Sequence, residues 1–433
     1  MKKLLFTLLS LFLFQFIYAQ QDTLLQHYRQ MALNYQQRIK MAEHQLSGAE
    51  SNVDAASSGR LPQLDFNSRY RYFGVPLKQA PTEVGIPGEE LHNFYSLNLD
   101  LYQPVLTGGY LKNTQKAAEF EVEMMKSLVG MSKQDIMLNS DMVYWRAVSK
   151  KETYRLQQKY METIGKFLKV IQDRVDEEIV GRNELFQAKV RYNDAEYRVI
   201  MSEKDYNVSV MDLNRLIGLP VGTSTNVADS LTVINWVKTN DTITKTALEQ
   251  RPEINYIRNQ ISKNEIEEKV VGSQYNPQLG IVAGGKWGSP SPGLQIEPGF
   301  NYYLKAQLTV PIFHWNKKHE EVFSIRQQTE IARLQMQETE DQVRLEVESS
   351  YYKLEKSQEQ FDFAGGSLEN AAQNVSVILD RYNEGLSSVL EVLDAQLDWQ
   401  KTYMNYIVSK YQLNVAYSQY LYSIGEYSRM TSN

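Results

Sequence analysis

The sequence predicts an α+β protein made of two copies of one unit, each unit pairing two extended strands with two long helices. Three observations predict it. First, the chain repeats itself: Leu61-Pro62-Gln63-Leu64 matches Asn276-Pro277-Gln278-Leu279 at an offset of 215 residues, and from Tyr95 onward the offset becomes 207. Second, apolar and polar residues alternate with period two on the stretches after Pro62 and before Pro104 and Pro311, the mark of strands with distinct faces. Third, long proline-free stretches follow these strands in both copies, with narrow apolar stripes among Gln, Glu, Lys and Asn.

The N-terminus carries Lys2 and Lys3, an apolar run from Leu4 to Tyr18, then Ala19-Gln20-Gln21. This reads as a signal peptide over residues 1–19, since the run of about 15 residues is short of the ~20 that a spanning helix needs. No later segment reaches spanning length, so if the mature chain enters a membrane it must cross with strands. Lys and Arg number 46 against 52 Asp and Glu, without the basic patch of a nucleic-acid binder. Cysteine is absent, which excludes disulfides, thiolate metal sites, a thiol nucleophile and a lipid-modified N-terminal cysteine.

The first repeat spans residues 20–218. Its strands are expected at about 62–72 and 94–103, and its long helices at about 108–180 and 182–217. A linker, 219–241, leads to the second repeat, 242–425, with strands at about 278–287 and 301–310 and helices at about 316–383 and 388–423. Residues 426–433 read as a tail, and shorter helices are expected over Leu25–Ser57 and Lys245–Ser273. A helix of ~70 residues would be ~105 Å long.

In the first strand Leu64, Phe66, Ser68, Tyr70 and Tyr72 share one face, and Asp65, Asn67, Arg69 and Arg71 the other; Asn98 and Asp100 lie on the polar face of the second. Strands of about ten residues suit a tilted bilayer crossing, with the tyrosines as an aromatic girdle. A soluble sheet packed on a core shows the same alternation, so the pattern by itself fits both. Loops are expected at Phe73–His92 and Gly288–Phe300.

The stretch NEGLSSVLEVLDAQ, Asn383 to Gln396, places Glu391 and Asp394 on one helix face. Ser388-x-x-Glu391 fits a capping box, which leaves Asp394 without a local task. No nucleophile accompanies the pair, and the five histidines are scattered, so neither catalysis nor a metal site is indicated.

Together LPQL at Leu61–Leu64, YQPVLTGGY at Tyr102–Tyr110, NPQL at Asn276–Leu279, LTVPIF at Leu308–Phe313 and YNEGLSSVLEVLDAQ at Tyr382–Gln396 resemble the TolC family of outer membrane efflux proteins. The resemblance implies a homotrimer in the outer membrane of a Gram-negative cell, its twelve-stranded transmembrane β-barrel continuous with a periplasmic α-helical barrel. The linker would lie in an equatorial band. A periplasmic adaptor and an inner-membrane pump, of RND or ABC type, would dock at the closed tip; no cofactor is implied. Asp65, Asn67, Arg69, Arg71, Asn98 and Asp100 would line the barrel lumen. Glu391 and Asp394 would form the periplasmic gate, with tip contacts from Tyr382, Gly385, Ser387 and, in the first copy, Gly181, Asn183 and Glu184. Glu184 would meet the phenol of Tyr382. One departure stands out: Gly385 maps at the 207 offset onto Glu178, and Gly181 follows three residues later, so the first-copy turn is expected to differ in shape. The rival reading is a periplasmic coiled-coil scaffold or adaptor.

Overall fold

A computed structural model describes residues 24–78, 90–233, 243–289 and 298–432. The signal-peptide segment and part of each hairpin loop and of the linker lie outside them. The described elements are α1 (24–35), α2 (Gln37–Ser58), β1 (Gln63–Lys78), β2 (Glu90–Leu106), α3 (Tyr110–Asp176) and α4 (Arg182–Ile217). The second copy supplies α5 (Ile243–Gln250), α6 (Pro252–Ser273), β3 (Gln278–Ser289), β4 (Gly299–Thr309), α7 (Lys317–Asn383) and α8 (Val389–Ser423), and α9 (Glu426–Ser432) closes the chain. The repeat is visible in the bounds: α2 and α6 start and end 215 residues apart, α3 and α7 207 apart. Contacts divide the chain into a helical unit (1–43, 127–255, 338–433) and a sheet unit (44–126, 256–337).

In the sheet unit the four strands form one antiparallel sheet in the order β1-β2-β3-β4. Its registers place Leu64, Leu101, Ala283 and Leu304 in one row, and Phe66, Leu99, Gly285 and Tyr302 in the next. The opposite face carries the rows Asp65, Asp100, Gly284, Tyr303 and Asn67, Asn98, Lys286, Asn301. Among the described residues no core covers the apolar face: Leu64 is 65%, Phe66 67% and Leu304 77% exposed. The glycines of β3 have a reason: a Cβ at Gly284 would collide with the Tyr303 ring and the Asp100 carboxylate, and one at Gly280 with Tyr102. Rings from β2 and β4 lie over β3, and the Tyr303 hydroxyl donates to Asp100 across the gap.

The hairpins run further than the alternation indicates. Beyond an irregularity after Tyr72, Leu77 pairs with Leu91 and Lys78 with Glu90, so parts of both expected loops are strand. Phe73 packs edge-on against Phe94 there, which holds the ladder together past the shift.

The helical unit has three slim clusters in place of one thick core. One joins α1, α3, α4 and the linker through Leu25, Tyr144, Trp145, Leu213 and Val227. A second joins α3, α4, α7 and α8 through Tyr160, Phe167, Leu185, Tyr382 and Leu393. The third centres on Leu354, Leu413 and Tyr420. Two expectations need correction. The helix expected over Lys245–Ser273 breaks at Arg251, because Pro252 lacks an N–H and disfavours a helical residue before it; the first copy breaks at the matching Gln36. The expected tail is α9, and its Tyr427 is wholly buried.

Tyr427 completes a buried network. Arg29 holds Asp141 through two bonds, 2.6 Å from Nε and 2.5 Å from Nη2, with Ser418 and Tyr427 donating to the same carboxylate at 3.0 and 2.5 Å. Their side chains are 7% and 1% exposed, so the charges are satisfied by protein alone. Removing one partner strands the other. Asp141→Ala is expected to cost about 3–5 kcal/mol of stability to denaturant, and Tyr427→Phe about 1 kcal/mol. An unchanged midpoint for Asp141→Ala would contradict this account.

Candidate functional site

Two places hold the residues singled out by the sequence. The first is where α3 turns into α4 and α7 into α8. In the second copy Gly385 takes φ +78°, the Gly385 N–H donates to the Tyr382 carbonyl at 3.1 Å and the Leu386 N–H to Arg381 at 2.8 Å. This is a Schellman cap. The first copy makes the same bonds at the 207 offset, Glu178 to Val175 at 3.0 Å and Ile179 to Arg174 at 2.8 Å, with Glu178 itself at φ +59°. The expected difference in shape is therefore corrected. Glu178 adopts the conformation of the glycine, at a cost of about 1–2 kcal/mol, because the hydrogen bonds of the cap require it. Gly181 is no displaced turn glycine; it is the N-cap of α4, the counterpart of Ser388, and has no side chain with which to cap.

Ser388 does cap. Its hydroxyl accepts from the Glu391 N–H at 3.3 Å, and the Glu391 carboxylate accepts from the Ser388 N–H at 2.7 Å. The Ser388 N–H holds the Glu391 carboxyl below its usual range. Glu391 is thus engaged at the helix start. Asp394, one turn on, takes a bond from Arg191 of α4 at 2.9 Å, joining one helix of each copy. Sequence reasoning missed Arg191, which lies far away in the chain.

Tyr382 is 4% exposed and its hydroxyl makes no hydrogen bond among the described residues. The expected bond to Glu184 is absent. The Arg174 guanidinium sits 4.5 Å from the Tyr382 ring centre and Phe167 meets the ring edge-on, so a cation–π contact takes the place of the hydrogen bond. Burial pushes the phenol upward, with Arg174 opposing and Glu184 reinforcing. Asn183 is exposed and Ser387 half-buried, and Arg381 reaches the turn by donating to the Leu386 carbonyl at 3.2 Å.

The second place is the polar face of the sheet. The structure brings Asp65 opposite Asp100 and Asn67 opposite Asn98, with Arg69 and Arg71 further along β1. Aromatic residues gather towards the loop end: Tyr70 donates to Asn93 at 2.7 Å, Tyr72 stacks on His92, and Tyr95 meets Trp287. Among the described residues no helix is long and apolar enough to cross a membrane, and no group of His, Asp and Glu could hold a metal ion.

Strands of 11 to 17 residues with an uncovered apolar face, joined to long polar helices, define a protein that crosses a membrane with strands. The profile of the outer membrane efflux protein family matches residues 28–219 and 243–425, and the chain belongs to that family. Solved structures share the fold. The CmeC outer membrane channel of Campylobacter jejuni is 18% identical, with a TM-score of 0.73 over 93% of this chain and 85% of that one. The outer membrane protein VceC of Vibrio cholerae gives 15% identity and 0.77 over 93% and 96%; the open state of the Neisseria gonorrhoeae MtrE channel gives 14% and 0.76 over 93% and 88%. No curated protein matches the sequence. Family membership places the protein in the outer membrane as an efflux channel, and decides against the periplasmic scaffold and against an enzyme.

The turn chemistry is testable in the purified protein. Glu178→Gly is expected to raise stability by up to about 1 kcal/mol, as left-handed strain is relieved against glycine's added chain entropy. Ser388→Ala is expected to lose about 1 kcal/mol. Because the folded-state pKa of Glu391 is depressed, its contribution is present above the ordinary glutamate range near 4.3 and lost as pH falls through the folded value. The stability gap between Glu391→Ala and the parent should accordingly shrink in acid, because the bond from the Ser388 N–H needs the carboxylate; a gap constant with pH would contradict the capping account.

Proposed function

We propose that three copies of the chain assemble into the passive exit duct of a tripartite efflux or type I secretion system. Each copy gives four strands to one twelve-stranded barrel, and the helices form a hollow cylinder in the periplasm. The observation that carries the reading is the sheet: among the described residues its apolar face is bare, and β1 and β4 each have one neighbour. Four strands cannot close on themselves, and unpaired backbone groups in lipid cost several kcal/mol each. Twelve strands fit the even number of such barrels. The face carrying Asp65, Asn67, Arg69, Arg71, Asn98 and Asp100 then meets water, and Leu64, Phe66 and Leu304 face lipid. A periplasmic adaptor docks with the duct, and an inner-membrane pump of RND or ABC type supplies the energy.

The gate in this reading is the pair of turns. Glu391 is engaged in its cap, so the gate rests on Asp394, which is paired with Arg191. A ring of three such carboxylates around a narrow axis favours cations. The Arg191–Asp394 pair also ties α4 to α8, so it acts as a latch if the tip opens by parting the two helices.

Two substitutions separate ring from latch in planar bilayers. Asp394→Ala is expected to raise single-channel conductance and weaken block by divalent cations. Arg191→Ala is expected to raise conductance too, while strengthening divalent block because Asp394 loses its partner. Unchanged conductance and block in both would remove Asp394 from the gate.

A further inference from the structure

The internal repeat specifies more than closure of the barrel. We infer that β4 of one copy pairs with β1 of a second copy in the register that β2 and β3 use within the chain. This rests on the assembly proposed above, and it assigns the residues that meet at the join. A β2 residue plus 207 gives its β4 counterpart, and a β3 residue minus 215 gives its β1 counterpart. The same offsets turn the observed Leu64–Leu101 pair into Leu279–Leu308, which is also observed. Applied to Leu101–Ala283 and Tyr102–Val282, they set Leu308 against Ser68 of the second copy and Thr309 against its Asn67.

The register keeps faces consistent. Leu308 and Ala306 meet Ser68 and Tyr70 on the apolar side, while Gln307 meets Arg69 on the polar side. One like-charged pair, Lys305 with Arg71, is the cost, and a slip of two residues that sets Lys305 against Phe73 and Leu308 against Tyr70 would relieve it. That slip is therefore the rival to test.

The strand ends give an independent reason for this register. Within the chain, Leu106 pairs with Leu279, and the Gly108 corner lies against Ser273 and Asn276, with the Asn276 amide donating to the Gly108 carbonyl at 2.8 Å. The offsets convert these into Phe313 against Leu64, and Trp315 against Ser58 and Leu61. Those side chains are bare in the single copy: Phe313 69%, Trp315 87%, Leu64 65% and Leu61 61% exposed. Trp315 and Asn316 keep the positive φ of Gly108 and Gly109, at +51° and +66°, where a tryptophan is strained. The corner thus keeps its glycine backbone while carrying a ring. An open cleft of about 510 Å³ beside it, lined by Tyr275, Phe313 and Trp315, leaves room for the chain of a neighbour. The intermolecular join is a wider, more apolar version of the intramolecular one.

The chain has no cysteine, so paired cysteines introduced into the full-length protein report the register directly. In outer membranes treated with copper phenanthroline, Ser68→Cys with Leu308→Cys is expected to give at least about fivefold more intermolecular cross-link than Phe66→Cys or Tyr70→Cys with Leu308→Cys, since disulfides require Cα atoms within about 7 Å. Leu61→Cys with Trp315→Cys should cross-link as well. Each single variant must first run as the same multimer as the parent by light scattering in detergent. A multimer that cross-links only through a shifted pair overturns the register and leaves the duct standing. Cross-linking at Ser68 and Leu308 with none at Leu61 and Trp315 overturns the corner contact and gives Trp315 to lipid. A parent protein that is monomeric after gentle extraction sinks the assembly itself.

Discussion

A sheet in lipid must satisfy every backbone hydrogen bond, and this constraint governs the rest of the molecule. Four strands leave two edges open, so the chain cannot meet the condition alone. What the gene duplication achieved becomes clear from the central ladder. The β2–β3 pairing joins the two copies inside one chain, and in the assembly proposed above it is a covalently tethered example of the contact between chains.

The helical part answers a different demand. A wall wetted on one side needs narrow apolar seams, and burial falls into three slim clusters with polar residues between them. Slim seams supply little hydrophobic stabilisation per helix, so fixed polar contacts matter more than in a globular core. Asp141 gathers bonds from Arg29, Ser418 and Tyr427, drawn from α1, α8 and α9. Arg251 does comparable work where the second copy breaks its helix, pairing with Glu253 and with Glu346 at 2.5 Å.

Much of the fold was legible because periodicity and repetition are properties of the chain itself. The long helices, β1, β2 and β4 all announce themselves by spacing. β3, expected over 278–287, reads less clearly, because Gly280 and Gly284 make way for rings belonging to other strands, a reason visible only in the register. The break at Arg251 had a readable signal in Pro252; the break at Gln36 had none. At the turns, Ser388 and Glu391 were readable as a local motif. Glu178 misled, since its side chain argues against the left-handed backbone that the cap's hydrogen bonds enforce. Arg191 and Arg174 were out of reach, because their partners Asp394 and Tyr382 sit on the other copy.

The register of the central ladder also dictates a schedule. Tyr95 faces Ser289, so β2 waits for α3, α4, the linker, α5 and α6 to follow it before its second neighbour exists. The β1–β2 hairpin can zip locally, but its exposed edge is an aggregation hazard for all of that interval. Synthesis in chain order therefore completes the β1–β2 half of the sheet first, with four helices before the second half. A chain released early, after its first copy, would carry the sticky edge with nothing to cap it.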